Sequence, residues 1–279
     1  MGTSNLAMRG EGMRTFYSLY PDYEPEWEYY FTKLGDDDAV ITVDLNLAEP
    51  APIKEIPMCI SIKLAGKKIL SGGDNIEVEA LDKLQREITQ GLHDKYGAIK
   101  AGQVTFDGQQ DLIYYLRKAD DLDKTLDDIM SNEERQYHLS VEIDADWDTY
   151  FNILCPDEYE RQQIKTRNRI ELLQRMGDDI TKTRFVQFLA SFKEDEDKNR
   201  YEEMLGFLPE ELGLQDFKFT VSDAKEVKEF RKAKYEKSLV FESEMNLNFG
   251  ILVAVGTMLM DMADETYGSF DGWYAPLVE

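Results

Sequence analysis

The sequence predicts an α+β protein of two tandem βαββαβ units, the first extended at its N-terminal end by a β-hairpin. Three observations point there. The chain has 279 residues, about twice the length of a typical domain. Aromatic and β-branched runs bounded by Gly, Asp and Pro alternate with stretches of three- and four-residue apolar spacing. The order strand, helix, strand, strand, helix, strand then occurs twice, which is the split βαβ order of a ferredoxin-like sandwich.

Residues 1–24 read as a disordered lead, with MGTSNLAMRGEGM either a cloning remnant ahead of Met13 or simply part of that lead. It has no apolar core of the kind a secretory signal needs. Trp27–Leu34 and Val40–Leu47 are strands flanking the turn Gly35-Asp36-Asp37-Asp38, a hairpin signature. Pro50, Pro52 and Pro57 interrupt, and Met58–Leu64 resumes as a strand. Asp74 or Asn75 caps a helix whose apolar positions are Val78, Leu81, Leu84, Ile88 and Leu92, and Gly97 ends it. Gln103–Phe106 turns through Asp107-Gly108 into Leu112–Leu116. Asp120 opens a short helix bearing Leu122, Leu126 and Ile129, and Tyr137–Leu154 reads as one long extended segment. These elements define a first domain over residues 25–156.

The second domain, residues 157–279, opens with a polar helix from Pro156-Asp157 to about Met176, anchored by Tyr159, Ile170 and Leu173. Its few apolar positions suit a helix that bridges the halves or lies over a sheet. Arg184–Phe192 is a strand, Asp197–Leu212 a helix broken at Pro209, and Phe217–Val221 a strand. Asp223–Lys237 is a charged helix or excursion. Leu239–Leu247, the amphipathic helix Ile251–Met262 and the strand Phe270–Leu277 complete the unit. A local echo links Glu26-Trp27-Glu28-Tyr29-Tyr30-Phe31 to Asp146-Trp147-Asp148-Thr149-Tyr150-Phe151. Both read as strands with Trp on one face and acids on the other.

Charge narrows the function classes. The chain holds 56 acids against 32 bases, a formal charge of −24. Such a surface repels nucleic-acid backbones and anionic membranes, so direct nucleic-acid or membrane partners are not expected. A basic protein is the natural complement. Residues 1–156 hold 30 acids and 15 bases and residues 157–279 hold 26 and 17, so the acidity is spread over both halves. Cys59 and Cys155 form no framework, a pattern at home in a reducing cytoplasm. No stretch approaches the ~20 apolar residues of a membrane span.

Candidate chemistry is sparse. Asp144, Asp146 and Asp148 lack the Gly and Glu of a calcium loop, and as alternate residues of a strand they read as a solvated face. No GxGxxG, phosphate loop or GxSxG is present. His93 and His138 have no candidate nucleophile beside them in the pattern. Neither a cofactor, a metal nor an enzyme activity is expected. Two acid runs, Asp36-Asp37-Asp38 and Glu194-Asp195-Glu196-Asp197, sit at a turn and a helix start, where acids also suit the helix dipole. The stretch from Lys225 to Lys237 is the one basic counterweight, read as an amphipathic helix.

The end of the chain reads Gly268-Ser269-Phe270-Asp271-Gly272-Trp273-Tyr274. An apolar helix followed by a strand ending in aromatic-Asp-Gly-Trp resembles the regulator of ribonuclease activity B (RraB) family. Phe270, Asp271, Gly272 and Trp273 carry that motif, and the order of elements over 157–279 agrees, with Asp223–Lys237 longer than the family pattern. Residues 25–156, with Trp27-Glu28-Tyr29-Tyr30-Phe31, resemble the domain-of-unknown-function family fused ahead of this module. The resemblance implies a noncatalytic bacterial inhibitor that contacts an RNA-processing endoribonuclease. Glu194, Asp195, Glu196 and Asp197 are the candidate contacting acids, because a clustered run at a helix entry makes the densest negative potential in this half. The rival readings are a module against another basic toxin or nuclease, and a small-molecule enzyme with its site in an interdomain groove.

Overall fold

The computed structural model describes residues 16–65, 75–133, 135–208, 218–221 and 237–278, with 75–78 described for their backbone alone. The chain is α+β and divides into two compact units, Met1–Cys155 and Pro156–Glu279. Each contains one antiparallel sheet.

The first unit carries strands β1 (Trp27–Leu34), β2 (Asp37–Asp44), β3 (Met58–Ala65), β4 (Ile99–Phe106), β5 (Gln109–Leu116) and β6 (Tyr137–Ile143). Their order in the sheet is β1-β2-β4-β5-β3-β6. Helices α1 (Phe16–Leu19), α2 (Asn75–Tyr96) and α3 (Leu122–Met130) complete it. The first hairpin is tighter than the acid run suggests. Leu34 pairs with Asp37, so the turn is Gly35-Asp36 alone, with Gly35 at φ 65°. Glycine at the first central position is the two-residue solution that matches strand twist, and Asp37 and Asp38 are strand residues. Asp107 (φ 43°) and Gly108 (φ 72°) close the second hairpin in the same economical way.

Alternation along the strands separates two cores. Ile60, Ile62 and Leu64 of β3 and Leu112, Tyr114 and Leu116 of β5 face the buried stripe Leu84, Ile88 and Leu92 of α2 and Leu126 of α3. Burying each such aliphatic side chain contributes about 1.5–3 kcal/mol. Other buried residues, including Tyr30, Ile41 and Val43, lie at the alternate positions. There Tyr115 stacks on Trp147 at 3.8 Å and 9°. Tyr30 donates to the Leu154 carbonyl (3.0 Å) and Tyr150 to that of Asp44 (2.8 Å).

Those contacts correct the reading of Tyr137–Leu154 as one strand. Pairing stops at Ile143, and Tyr150–Leu154 forms a wide helical turn. The cause is Asp144. Its carboxylate accepts from the Tyr115 hydroxyl (2.6 Å) and from the backbone N–H of Asp148 (2.7 Å) and Thr149 (3.0 Å). An aspartate that bonds the backbone four and five residues ahead ends a strand and starts a helical turn. The acids of Asp144-Ala145-Asp146-Trp147-Asp148 therefore do not share one sheet face. The echo with residues 26–31 is likewise one of sequence only: Trp27 lies on a strand and is 42% exposed, whereas Trp147 sits at φ 59° and is fully buried.

Residues 16–24 also depart from a disordered lead. Phe16 is buried, with the rings of Tyr17, Tyr20 and Tyr23 around it at 4.8–5.2 Å. Tyr23 donates to Asp44 at 2.6 Å.

The second unit has strands β7 (Arg184–Phe192), β8 (Thr220–Val221), β9 (Lys237–Met245) and β10 (Ser269–Tyr274), ordered β10-β7-β9-β8. Helices α4 (Glu158–Arg175), α5 (Asp195–Leu205) and α6 (Phe249–Glu265) accompany them. The core joins Val186, Phe188 and Phe192 of β7 with Leu252, Val255 and Leu259 of α6, and takes in Phe270 and Trp273 of β10. α4 packs against α6 within this unit. Counted within each unit's βαββαβ run, both sheets place the fourth strand beside the first, then the third, then the second; in the first unit β1 and β2 add on beside β4. The expected Asp74 cap, the Pro209 break, the strand start at Phe217 and all of the basic stretch before Lys237 lie outside the described residues.

Candidate functional site

The motif Phe270-Asp271-Gly272-Trp273 lies on β10, and what surrounds it begins with the start of α4. Asp157 caps that helix from an extended backbone, accepting from the Glu160 N–H at 2.8 Å, while the Glu160 carboxylate accepts from the Asp157 N–H at 2.9 Å. This reciprocal capping box satisfies two orphan donors and fixes where the helix begins. Tyr159 then donates to Asp261 of α6 at 2.7 Å. Two turns on, Thr166 is buried and accepts the Trp273 indole N–H at 3.1 Å. The Arg169 guanidinium lies over the same indole, 5.4 Å from the ring centroid.

The strand is irregular where it meets this helix. Phe270 pairs with Ala190 and Gly272 with Leu189, so Asp271 is an extra residue bulged out of register. Bulges re-aim side chains and bend the strand that carries them. Gly272 supplies the required backbone at φ 132°, a conformation closed to ordinary L-residues. Asp271 takes a hydrogen bond from the Ser191 hydroxyl of β7.

Between α4 and β10 lies a cleft of ≈ 260 Å³. Lys165, Thr166 and Arg169 line it from the helix, and Asp271, Gly272 and Trp273 from the strand. That volume is below the ~300–1,000 Å³ of pockets for drug-sized ligands, so the cleft fits a side chain or a short stretch of chain. Two cations against one carboxylate leave its wall net positive. The motif residues thus serve two ends: Phe270 and Trp273 are buried in the core, while Asp271 and Gly272 shape a concave surface.

The acid run lies elsewhere. Glu194 occupies the N-cap position of α5 without a side-chain capping bond, and Asp195, Glu196 and Asp197 form its first turn. Glu194, Asp195 and Glu196 are exposed and Asp197 is half-buried. Asp195 pairs with Lys237 at 2.9 Å. None of the four lines the α4–β10 cleft. His93, at the end of α2, meets Asp94 at 3.2 Å and the Tyr17 ring at 5.2 Å, while His138 is exposed on β6. The sequence reading missed Lys165, Thr166 and Arg169. The available signal was Lys165 and Arg169 at four-residue spacing, on one side of a helix.

Comparison with known proteins agrees with the division into units. Residues 25–155 match the family of unknown function DUF695, and residues 163–274 match the family named regulator of ribonuclease activity B. No curated protein matches the chain. A crystal structure of an unknown protein from Galdieria sulphuraria aligns over 81% of this chain and 100% of its own, at 9% identity and a TM-score of 0.22. A likeness that slight carries no argument.

Proposed function

We propose that the chain is a noncatalytic regulator that binds an endoribonuclease by protein contact and lowers its activity. The observation that carries this reading is the match of residues 163–274 to the regulator of ribonuclease activity B family. The strand orders β6-β3-β5-β4 and β10-β7-β9-β8 support two ferredoxin-like sandwiches as its scaffold, although such scaffolds host many activities and do not name one. The charge of −24 favours a basic surface on the partner, one that would otherwise hold RNA. On this reading the protein works in the bacterial cytoplasm without a cofactor. Glu194, Asp195, Glu196 and Asp197 lie on the contacting side, as a dense patch at a helix entry.

The test is capture and inhibition. Full-length protein immobilised on resin is exposed to a bacterial lysate, and the captured endoribonuclease is assayed on an RNA substrate with increasing free protein. A saturable fall in cleavage rate supports the reading. Failure to capture any nuclease, or an unchanged cleavage rate, discards it.

A further inference from the structure

We infer that β6 is a self-association edge: two copies of the chain pair their β6 strands antiparallel, about a two-fold axis at Ser140. The inference goes beyond the proposed inhibition and stands independently of any nuclease.

The edge is open and regular. β6 ends the sheet order of the first unit and pairs with β3 alone among the described residues. Its register with β3 runs without a shift from Tyr137 to Ile143. The strand Tyr137-His138-Leu139-Ser140-Val141-Glu142-Ile143 holds no Pro, Gly or Lys, so it lacks the usual devices that blunt an edge. Its apolar face is half used: Tyr137 and Leu139 pack against the core under α2 and α3, but Val141 and Ile143 are 41% and 78% exposed.

Hydrogen bonds at the two ends of the strand fix its main-chain phase. The Gln136 carbonyl accepts from the Ala65 N–H (3.2 Å), and the Asp144 N–H donates to the Pro57 carbonyl (2.8 Å). Bonded pairs alternate along an antiparallel ladder, so the even-numbered residues of β6 bond β3. The main-chain groups of Tyr137, Leu139, Val141 and Ile143 then point outward, where an added strand takes them.

The sequence chooses the occupant. Antiparallel pairing about Ser140 sets Leu139 against the partner's Val141 and Tyr137 against the partner's Ile143. These are the outward-pointing residues, so their main chains meet in phase. The exposed end of each strand meets the core-packed end of the other, and pairs of this apolar kind stabilise a sheet. On the opposite face His138 meets the partner's Glu142, twice by symmetry, as a two-fold interface requires. An imidazole donates to a carboxylate in either charge state. Glu142 also accepts the Thr149 hydroxyl at 3.3 Å, and a carboxylate has further acceptor sites. Lys63 lies opposite His138 on β3 but also faces Asp111 on β5, and the pairing does not need it. An axis at Leu139 or Val141 keeps the phase but sets His138 or Glu142 against Ser140 and shortens the overlap. A basic strand from another protein finds one carboxylate on this edge and an acidic strand one histidine; a second copy finds both. Repulsion between two copies of charge −24 is screened beyond about 8 Å at physiological ionic strength.

The experiment follows full-length protein by sedimentation velocity over a concentration series at physiological ionic strength. A reversible dimer is expected. His138, Ser140 and Glu142 are exposed, so substitutions there act on the seam. His138→Glu sets a glutamate opposite each Glu142 and should weaken self-association about tenfold. Adding Glu142→Lys restores opposite charges and should recover it. Ser140→Cys, at the axis, should form an interchain disulfide under oxidised glutathione beyond the background from Cys59 and Cys155. His138→Cys lies about 13 Å from its own copy across the seam and should not. The cysteine pair keeps the test valid if His138→Glu lowers the melting transition. Four results would overturn the inference: monomer at every concentration up to the solubility limit, a dimer indifferent to His138→Glu, a double variant no better than His138→Glu, or equal cross-linking of the two cysteine variants.

Discussion

Trp273 is held from three sides at once, and that makes its removal informative. Its ring is 3% exposed, its N–H is donated to Thr166, and Arg169 lies over its face. Trp273→Ala removes the packing and strands the buried Thr166 hydroxyl, so denaturant unfolding should show a loss of ~3–5 kcal/mol. An unchanged melting temperature together with lost partner binding would move Trp273 from core to interface. Its neighbour Gly272 poses a cleaner question, because space and backbone separate there. Nothing lies within 4 Å of an added Cβ, yet φ is 132°. Gly272→Ala should therefore cost about 1–3 kcal/mol of stability through backbone strain alone. A neutral result in urea melts would mean that the bulge can reset.

At the scale of elements, the C-terminal segment is tied to the entrance of β7 by one buried ion pair. Arg184 donates to Asp178 Oδ2 at 2.6 Å, to the Asp179 carbonyl at 2.6 Å and to the Pro276 carbonyl at 3.1 Å. Asp178 Oδ2 also accepts the Val278 N–H at 3.0 Å. Both side chains are almost fully buried, so Arg184→Ala leaves an uncompensated charge and should cost about 3–5 kcal/mol. The Arg184 guanidinium holds the Asp178 carboxyl below the ordinary carboxylate range, against the opposing pull of burial. A depressed folded pKa stabilises the fold above the unfolded value of about 3.9 and ceases to do so as pH falls through the folded pKa. Stability measured from neutral to acid pH should accordingly fall less steeply for Asp178→Asn than for wild type; parallel curves would remove Asp178 from the acid response.

The same scale shows what the sequence could and could not reveal. Strands such as Trp27–Leu34 and Arg184–Phe192 were legible to the residue, because alternation and turn residues at their ends are local signals. The buried stripe Leu84, Ile88 and Leu92 was legible for the same reason. Asp144–Leu154 was not, because alternating acids mimic a solvated strand until the Tyr115 hydroxyl, from a distant strand, joins the backbone donors on Asp144. The acid run at Glu194–Asp197 was visible as composition, and its place at the α5 start followed from helix chemistry. The cleft was invisible for the opposite reason: its cations and its glycine come from segments about one hundred residues apart, joined only by tertiary packing.

For the whole molecule, the governing quantity is charge. At a formal charge of −24, the isolated protein should not bind RNA measurably near physiological salt. A mobility-shift assay with micromolar affinity would sink the inhibitor reading as stated. The same charge sets the kinetics with a basic partner. Long-range attraction accelerates encounter and is screened within about 8–10 Å at physiological ionic strength. Exposed rim charges act chiefly on the association rate, whereas buried anchors govern dissociation. Glu194, Asp195 and Glu196 are exposed and Asp197 half-buried, and no side chain of the run caps the helix. Neutralising all four to Gln and Asn should leave the fold intact, apart from the exposed Asp195–Lys237 pair, which is worth little. Association with the captured nuclease should then slow, and its dependence on ionic strength should flatten, while dissociation stays close to wild type. Stopped-flow rates across a salt series decide it. Identical slopes for wild type and the quadruple variant would remove this patch from the interface, and a change confined to dissociation would mean that the run is a buried anchor rather than a steering rim.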